Sequence, residues 1–155
     1  QPQIIHGDIK PNNIMISSDD RVTLIDYNLS QCSAKLKLPL GRTDGYSPPE
    51  FYIGNEWNQR NFLDFTIAYD YKSLFYTYSY EILHRGSVVS VLSDIYSLGA
   101  TIFYMSTGKH PCHTEVIDKE INTIHPVLKN VIQKCMAMNP YDRFRSVRDI
   151  LALLK

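Results

Sequence analysis

Residues 6 to 28 read His6-Gly7-Asp8-Ile9-Lys10-Pro11-Asn12-Asn13, Ile14-Met15-Ile16, Ser17-Ser18-Asp19-Asp20, Arg21-Val22-Thr23-Leu24-Ile25 and Asp26-Tyr27-Asn28. Two apolar runs flank four turn formers, the pattern of a β-hairpin. Pairing about a centre between Asp19 and Asp20 sets Asn13 opposite Asp26, and cross-strand partners lie only about 5 Å apart. Two oxygen-bearing side chains are therefore expected to meet at one end of the ribbon. The polar loop 6–13 ahead of it holds a carboxylate (Asp8), an ammonium (Lys10) and an amide (Asn13), with Pro11 fixing one backbone torsion. Asp8 is a candidate base and Lys10 a cation for a phosphate oxygen. Asn13 and Asp26 are oxygen ligands suited to Mg²⁺, a hard ion that keeps few protein ligands and prefers substrate phosphates. The combination points to phosphoryl transfer from a magnesium-bound nucleotide.

Outward from this stretch, residues 27–50 end in Gly41, Gly45, Pro48 and Pro49 and read as a long functional loop. Ser93 can cap a helix running through Tyr96, Leu98, Ile102 and Phe103 to a stop at Gly108; being apolar nearly all round, it is expected inside. Asp94 falls in its first turn, near the positive helix end. Val127, Leu128, Val131, Ile132, Cys135 and Met136 recur at helical spacing, closed by Asn139-Pro140. Ser146-Val147-Arg148-Asp149 is a capping box before a last helix with Ile150, Leu151 and Leu154. Between Phe51 and Tyr80 lie 11 of the 18 aromatic residues, a density that reads either as an extra packed layer or as a docking surface for a partner over 51–80. The expected class is mainly α with a small β-hairpin.

Composition narrows the function classes. The chain has 155 residues, 44% of them hydrophobic and 21% charged, enough for one globular domain. Sixteen basic side chains balance sixteen acidic ones, which removes the electrostatic case for nucleic acid or an anionic membrane as partner. No apolar run approaches the roughly 18 residues of a membrane span, and the N-terminus lacks the layout of a signal peptide. Three scattered cysteines (Cys32, Cys112, Cys135) suit reduced thiols in a cytoplasmic or otherwise intracellular compartment. The chain opens on Gln1, from which an excised domain of a larger unit is expected. His110-Pro111-Cys112-His113 invites a zinc reading, but no second ligand pair lies at finger spacing, and a plain loop is expected.

The segment His6 to Asn13 resembles the H-R-D-L-K-x-x-N catalytic loop of protein kinases, thirteen residues ahead of a D-F-G-like Asp26-Tyr27-Asn28. Pro48-Pro49-Glu50 resembles A-P-E, Ser93-Asp94-Ile95-Tyr96-Ser97-Leu98-Gly99 the start of the family's central helix, and Asn139-Pro140-Tyr141-Asp142-Arg143-Phe144 its late D-P-x-x-R element. Five motifs in order cover nearly the whole chain as a kinase C-terminal lobe of α+β type. The resemblance implies a partial kinase domain over 1–155: catalytic loop 6–13, activation segment 26–50, an aromatic-rich insertion at about 51–92, a central helix from 93 and terminal helices over 127–155. It also implies roles. Asp8 would orient the substrate hydroxyl's proton, Lys10 would neutralise the γ-phosphate of ATP, and Asn13 with Asp26 would hold Mg²⁺. Thr43 would bond the catalytic aspartate and lysine, the serine/threonine-kinase pattern, with protein Ser or Thr hydroxyls as acceptors. Glu50 and Arg143 would form a buried ion pair, Asp94 would brace the catalytic loop, and His6 would pack with Tyr27 as a core histidine.

Several positions depart from the family pattern. Gly7 replaces the arginine that in many kinases meets an activation-loop phosphate, so control by that route is not expected. Asn28 replaces the D-F-G glycine, and Tyr27 adds a hydroxyl that needs a partner. The glycine-rich loop, the strand lysine and its glutamate partner belong to an N-terminal lobe these residues do not include, so the 155 residues alone are expected to turn over ATP negligibly. Two rival functions stand beside the serine/threonine kinase: a pseudokinase scaffold, and a small-molecule phosphotransferase of the aminoglycoside or choline kinase type. Lys10-Pro11, the segment from Thr43 to Glu50 and the motif from Ser93 to Gly99 favour the protein kinase over the second.

Overall fold

The computed structural model describes residues 3–32, 40–52, 89–111 and 114–155. Strands β1 (Ile4–Ile5) and β4 (Gln31–Cys32) pair antiparallel, Ile4 with Cys32 and Ile5 with Gln31. Between them, β2 (Ile14–Ile16) and β3 (Val22–Leu24) form the expected hairpin. The β1/β4 pair thus brings the loop that starts at His6 alongside the segment that ends at Ser30.

The hairpin register differs by one residue from the expected one: Ile14 faces Leu24, Met15 faces Thr23 and Ile16 faces Val22. A three-residue loop is the cause. Ser17 N donates to Arg21 O and Asp20 N to Ser17 O, both at 3.0 Å, and Asp20 takes the left-handed conformation at φ 59° that such loops require. The residue opposite Asn13 is therefore Ile25, whose N donates to Asn13 O at 2.9 Å, and Asp26 stands one residue further on.

Helix α1 (Val91–Thr107) is the central element. Its cap is Ser90, not Ser93: Ser90 Oγ accepts from Leu92 N at 3.2 Å, and Ser93 Oγ accepts from Ser90 N at 3.2 Å. The two serines close the end reciprocally, satisfying orphan donors. The other end stops at Gly108 as expected, in the left-handed conformation (φ 68°), with its N–H on Tyr104 O. Several of the buried faces are polar. Ser97 and Thr101 are buried by returning their hydroxyls to the carbonyls of Ser93 and Ser97.

Helices α2 (Thr114–Glu120), α3 (Pro126–Cys135) and α4 (Val147–Leu153) complete the described chain. The sequence pattern gave no expectation of α2. Helix α3 ends at Cys135, ahead of Asn139, because Asn139 instead caps the short 3₁₀ turn Pro140–Asp142 by accepting from Tyr141 N at 3.1 Å. Helix α4 starts as expected, with Ser146 Oγ accepting from Asp149 N at 3.3 Å.

The core lies between α1, α3 and α4. Ile95, Val131, Cys135, Phe144 and Ile150 form one cluster; Phe103, Ile121, Ile124 and Ile132 form a second toward α2. Each fully buried side chain of this kind contributes roughly 1.5–3 kcal/mol. Helices α1 and α3 meet at Gly99, where a Cβ would stand 2.4 Å from Cys135 Cβ. Burial pushes the Cys135 thiol up to about 12, which leaves it protonated and unreactive. Phe51 is buried with Ile5 and Val89; the rest of the aromatic segment, including most of 51–80 and both readings given for it, lies outside the described residues. So do Cys112 and His113 of the zinc motif. Among the described residues no group of three His, Cys, Asp or Glu side chains is placed to hold a metal, and no helix is long and apolar enough to cross a membrane.

Candidate active site

The loop from His6 to Asn13 folds back on itself through Asp8. Both amide hydrogens of Asn13 go to this residue, to its backbone O at 2.8 Å and its Oδ2 at 2.9 Å. Lys10 Nζ stands 2.8 Å from the same Oδ2 and donates to Thr43 Oγ1 at 3.1 Å. The Thr43 hydroxyl donates in turn to Asp8 Oδ1 at 2.7 Å. Asp8, Lys10, Asn13 and Thr43 are thus joined in one network in which each Asp8 oxygen has a defined partner. Asp8 is 8% exposed, and charge-assisted bonds of this kind fix a carboxylate's orientation at little further ordering cost.

Thr43 is delivered by a tight turn: its O accepts from Tyr46 N at 3.1 Å and Ser47 N at 2.9 Å, and its own N donates to Ser47 Oγ at 2.8 Å. From the sequence, nothing marks Ser47 for this role.

Asp26 is exposed and takes a left-handed backbone at φ 63°, a conformation uncommon outside glycine and most tolerable for Asn and Asp. Its Oδ1 accepts from Asn28 N at 3.4 Å. It is joined to Asn13 through the Ile25 backbone, one residue away, rather than as the direct partner the sequence register set there. With both Asn13 amide hydrogens on Asp8, the amide Oδ1 is a hard oxygen donor, as is the exposed Asp26 carboxylate. An amide oxygen and a carboxylate are the kind of hard donors that suit Mg²⁺, which completes its shell with water and phosphate oxygens.

His6 is 3% exposed and satisfied at both ring nitrogens: Nε2–H donates to Ile25 O at 3.1 Å and Nδ1 accepts from Asp8 N at 3.3 Å. Tyr27 packs on it with ring centroids 4.6 Å apart but is 52% exposed, so the aromatic pair caps the loop from the surface. Beneath, Asp94 Oδ2 accepts from His6 N at 2.8 Å and Oδ1 from Gly7 N at 2.9 Å. Burial raises its carboxyl above the usual value, with those two backbone N–H groups pulling the other way.

The Glu50 and Arg143 side chains are both fully buried and paired at two points, Nη1 to Oε1 at 2.7 Å and Nη2 to Oε2 at 2.8 Å. Arg143 also donates to Ala137 O, Leu92 O and Met138 O. All five of its N–H groups are satisfied, the condition under which such a charge survives burial. Ser93 Oγ donates to Glu50 Oε1 at 2.9 Å. Spacing marked Ser93 only as a cap; its second role comes from the chain returning at Glu50.

Residues 1–152 match the protein kinase domain family. The chain belongs to that family. It is 30% identical over 172 aligned residues to the serine/threonine-protein kinase PknA of Nostoc sp., covering 99% of this chain and 24% of the relative. It is 24% identical to the serine/threonine-protein kinase PknB of Mycolicibacterium smegmatis, covering 98% and 23%, and 24% identical to PrkC of Bacillus subtilis, covering 100% and 22%. The chain spans about a quarter of the length of these relatives. As a kinase-family chain it is of α+β type with small antiparallel sheets, as expected from its motifs.

Proposed function

We propose that this chain carries the catalytic loop of a serine/threonine protein kinase, which transfers the γ-phosphoryl group of Mg-ATP to a hydroxyl of a protein substrate. The observation that carries the reading is the network in which Thr43 Oγ1 bridges Asp8 Oδ1 and Lys10 Nζ. Asp8 orients the acceptor hydroxyl and takes its proton as the new O–P bond forms. Lys10 neutralises charge on the transferred group, and Thr43 holds the two side chains in register. Asn13 Oδ1 and Asp26 would hold the magnesium ion, which when bound would supply positive charge against the phosphates. Asp94, Glu50 and Arg143 position the loops. The assigned stretches are the catalytic loop 6–13, the activation segment 26–50, the central helix and the terminal helices over 127–155. The unpaired thiols of Cys32 and Cys135 suit an intracellular compartment. The 155 residues contain no glycine-rich phosphate loop, and alone they transfer phosphate negligibly.

The test is to offer a peptide array and a set of small alcohols, with Mg-ATP, to the full-length protein and its Asp8→Asn variant. Peptide labelling at Ser or Thr is expected, falling by about 10²–10⁴-fold in the variant. Labelling confined to the alcohols would assign a small-molecule phosphotransferase. No labelling of either, with the variant indistinguishable from the original, would assign a scaffold.

A further inference from the structure

The C-terminal end of α1 carries a cluster that the catalytic groups do not use. The Tyr46 hydroxyl lies 3.2 Å from His110 Nδ1. The Tyr46 ring stands edge-on to His110 at 6.0 Å and to Tyr104 at 6.4 Å, and the Tyr104 and His110 rings lie 4.9 Å apart. Three rings therefore touch in a closed set. Tyr46 is buried, whereas His110 is exposed, two residues beyond the Gly108 stop. A polar atom of a surface histidine thus secures the polar tip of a buried tyrosine, a use of the aromatic hydroxyl that fixes orientation as well as burying area.

The position of Tyr46 gives this contact its reach. Its backbone N–H bonds Thr43 O, and the same turn presents the Thr43 hydroxyl to Asp8 and Lys10. From His110, a short run of contacts leads through Tyr46 and the turn 43–47 to the Asp8 carboxylate. We propose that His110 is a positioning residue which, through Tyr46, sets the turn 43–47 as the platform for the acceptor peptide. The proposal rests on the kinase reading above. It assigns a role to a histidine whose sequence neighbourhood suggests only a loop. His110 is bonded to Tyr46 and is not among the groups assigned to the phosphates, so its loss is expected to weaken the use of peptide more than that of the nucleotide.

The experiment uses the full-length protein with His110→Ala, His110→Asn and Tyr46→Phe. Asparagine can place either an oxygen or an N–H near the histidine Nδ1 position and so restores the bond whichever group donates. His110→Ala and Tyr46→Phe are each expected to raise the peptide KM by about tenfold, the scale of one hydrogen bond, with a smaller change in the KM for ATP. His110→Asn should recover most of the loss, and the His110→Ala/Tyr46→Phe double variant should be no worse than the worse single one. Unchanged peptide kinetics, equal damage to both substrates, or additive losses would each overturn the proposal. Amide hydrogen exchange gives a reading independent of catalysis: His110→Ala should speed exchange at Tyr46 and Ser47 while leaving residues 14–24 as they were. If the protein transfers no phosphate, the kinase reading fails by itself. Faster exchange at 46 and 47 would then still support the coupling of His110 to the turn, and unaltered exchange there would overturn it.

Discussion

Gly7 has φ 78°, and a Cβ built there would lie 2.8 Å from Leu29 O. A side chain at this position meets a strained backbone and a main-chain carbonyl two residues ahead of β4, so Gly7→Ala should cost about 1–3 kcal/mol in urea unfolding. The arginine seen in many kinases at this place therefore cannot be restored here without moving Leu29. Asp94 gives a pH signature. Burial holds its folded carboxyl above the ordinary 3.8, so the folded chain binds this proton more tightly than the unfolded one. Its contribution is fully present below the unfolded value and is lost as pH rises through the folded one. The stability of the original relative to Asp94→Asn should accordingly improve as pH is lowered from neutral toward 4, and a flat difference would contradict the sign. At this scale the sequence was most readable. Asp8, Lys10, Thr43 and Asp94 have fixed chemistry and fixed motif spacing, whereas Ser47, His110 and the second role of Ser93 depend on chain returns that no local pattern encodes.

Among the elements, the α1/α3 crossing is the tightest point. A methyl group at Gly99 would overlap Cys135 Cβ and crowd Met136 Cγ at 3.1 Å. Alanine gains about 1 kcal/mol in helix propensity, but a methyl group forced well inside van der Waals contact with Cys135 Cβ, between two helix stems, falls at the costly end of overpacking, about 3 kcal/mol. Gly99→Ala should therefore lower the melting temperature; a rise would show slack in the crossing. Element boundaries were harder to read than elements. Asp19 and Asp20 suit a turn equally until strand twist selects the three-residue loop, and Ser90 and Ser93 are both competent caps, separated by the spacing at which each can serve the other. Helix α2 left little trace in the pattern because, among its described residues, Val116 and Ile117 pack onto the Phe103 cluster, and two apolar residues in one short helix define no period.

For the molecule as a whole, the Glu50–Arg143 pair joins positions 93 residues apart and ties the end of the segment 40–52 to the connection between α3 and α4. Arg143→Met should destabilise the fold by about 3–5 kcal/mol, because it leaves Glu50 buried and charged. A Glu50→Leu/Arg143→Met double variant should recover much of that loss in the same denaturation measurement while peptide phosphorylation stays impaired. The long connection from Phe51 to Val89 has feet that meet: Phe51 packs on Val89, and Glu50 is bonded to Ser93. Closing a chain loop grows only logarithmically more costly with its length, about 0.6 kcal/mol per doubling. The two ends of this stretch are fastened together by described residues, so descendants of this sequence are free to lengthen, trim or rewrite what lies between them without re-spacing Asp8, Lys10 and Thr43.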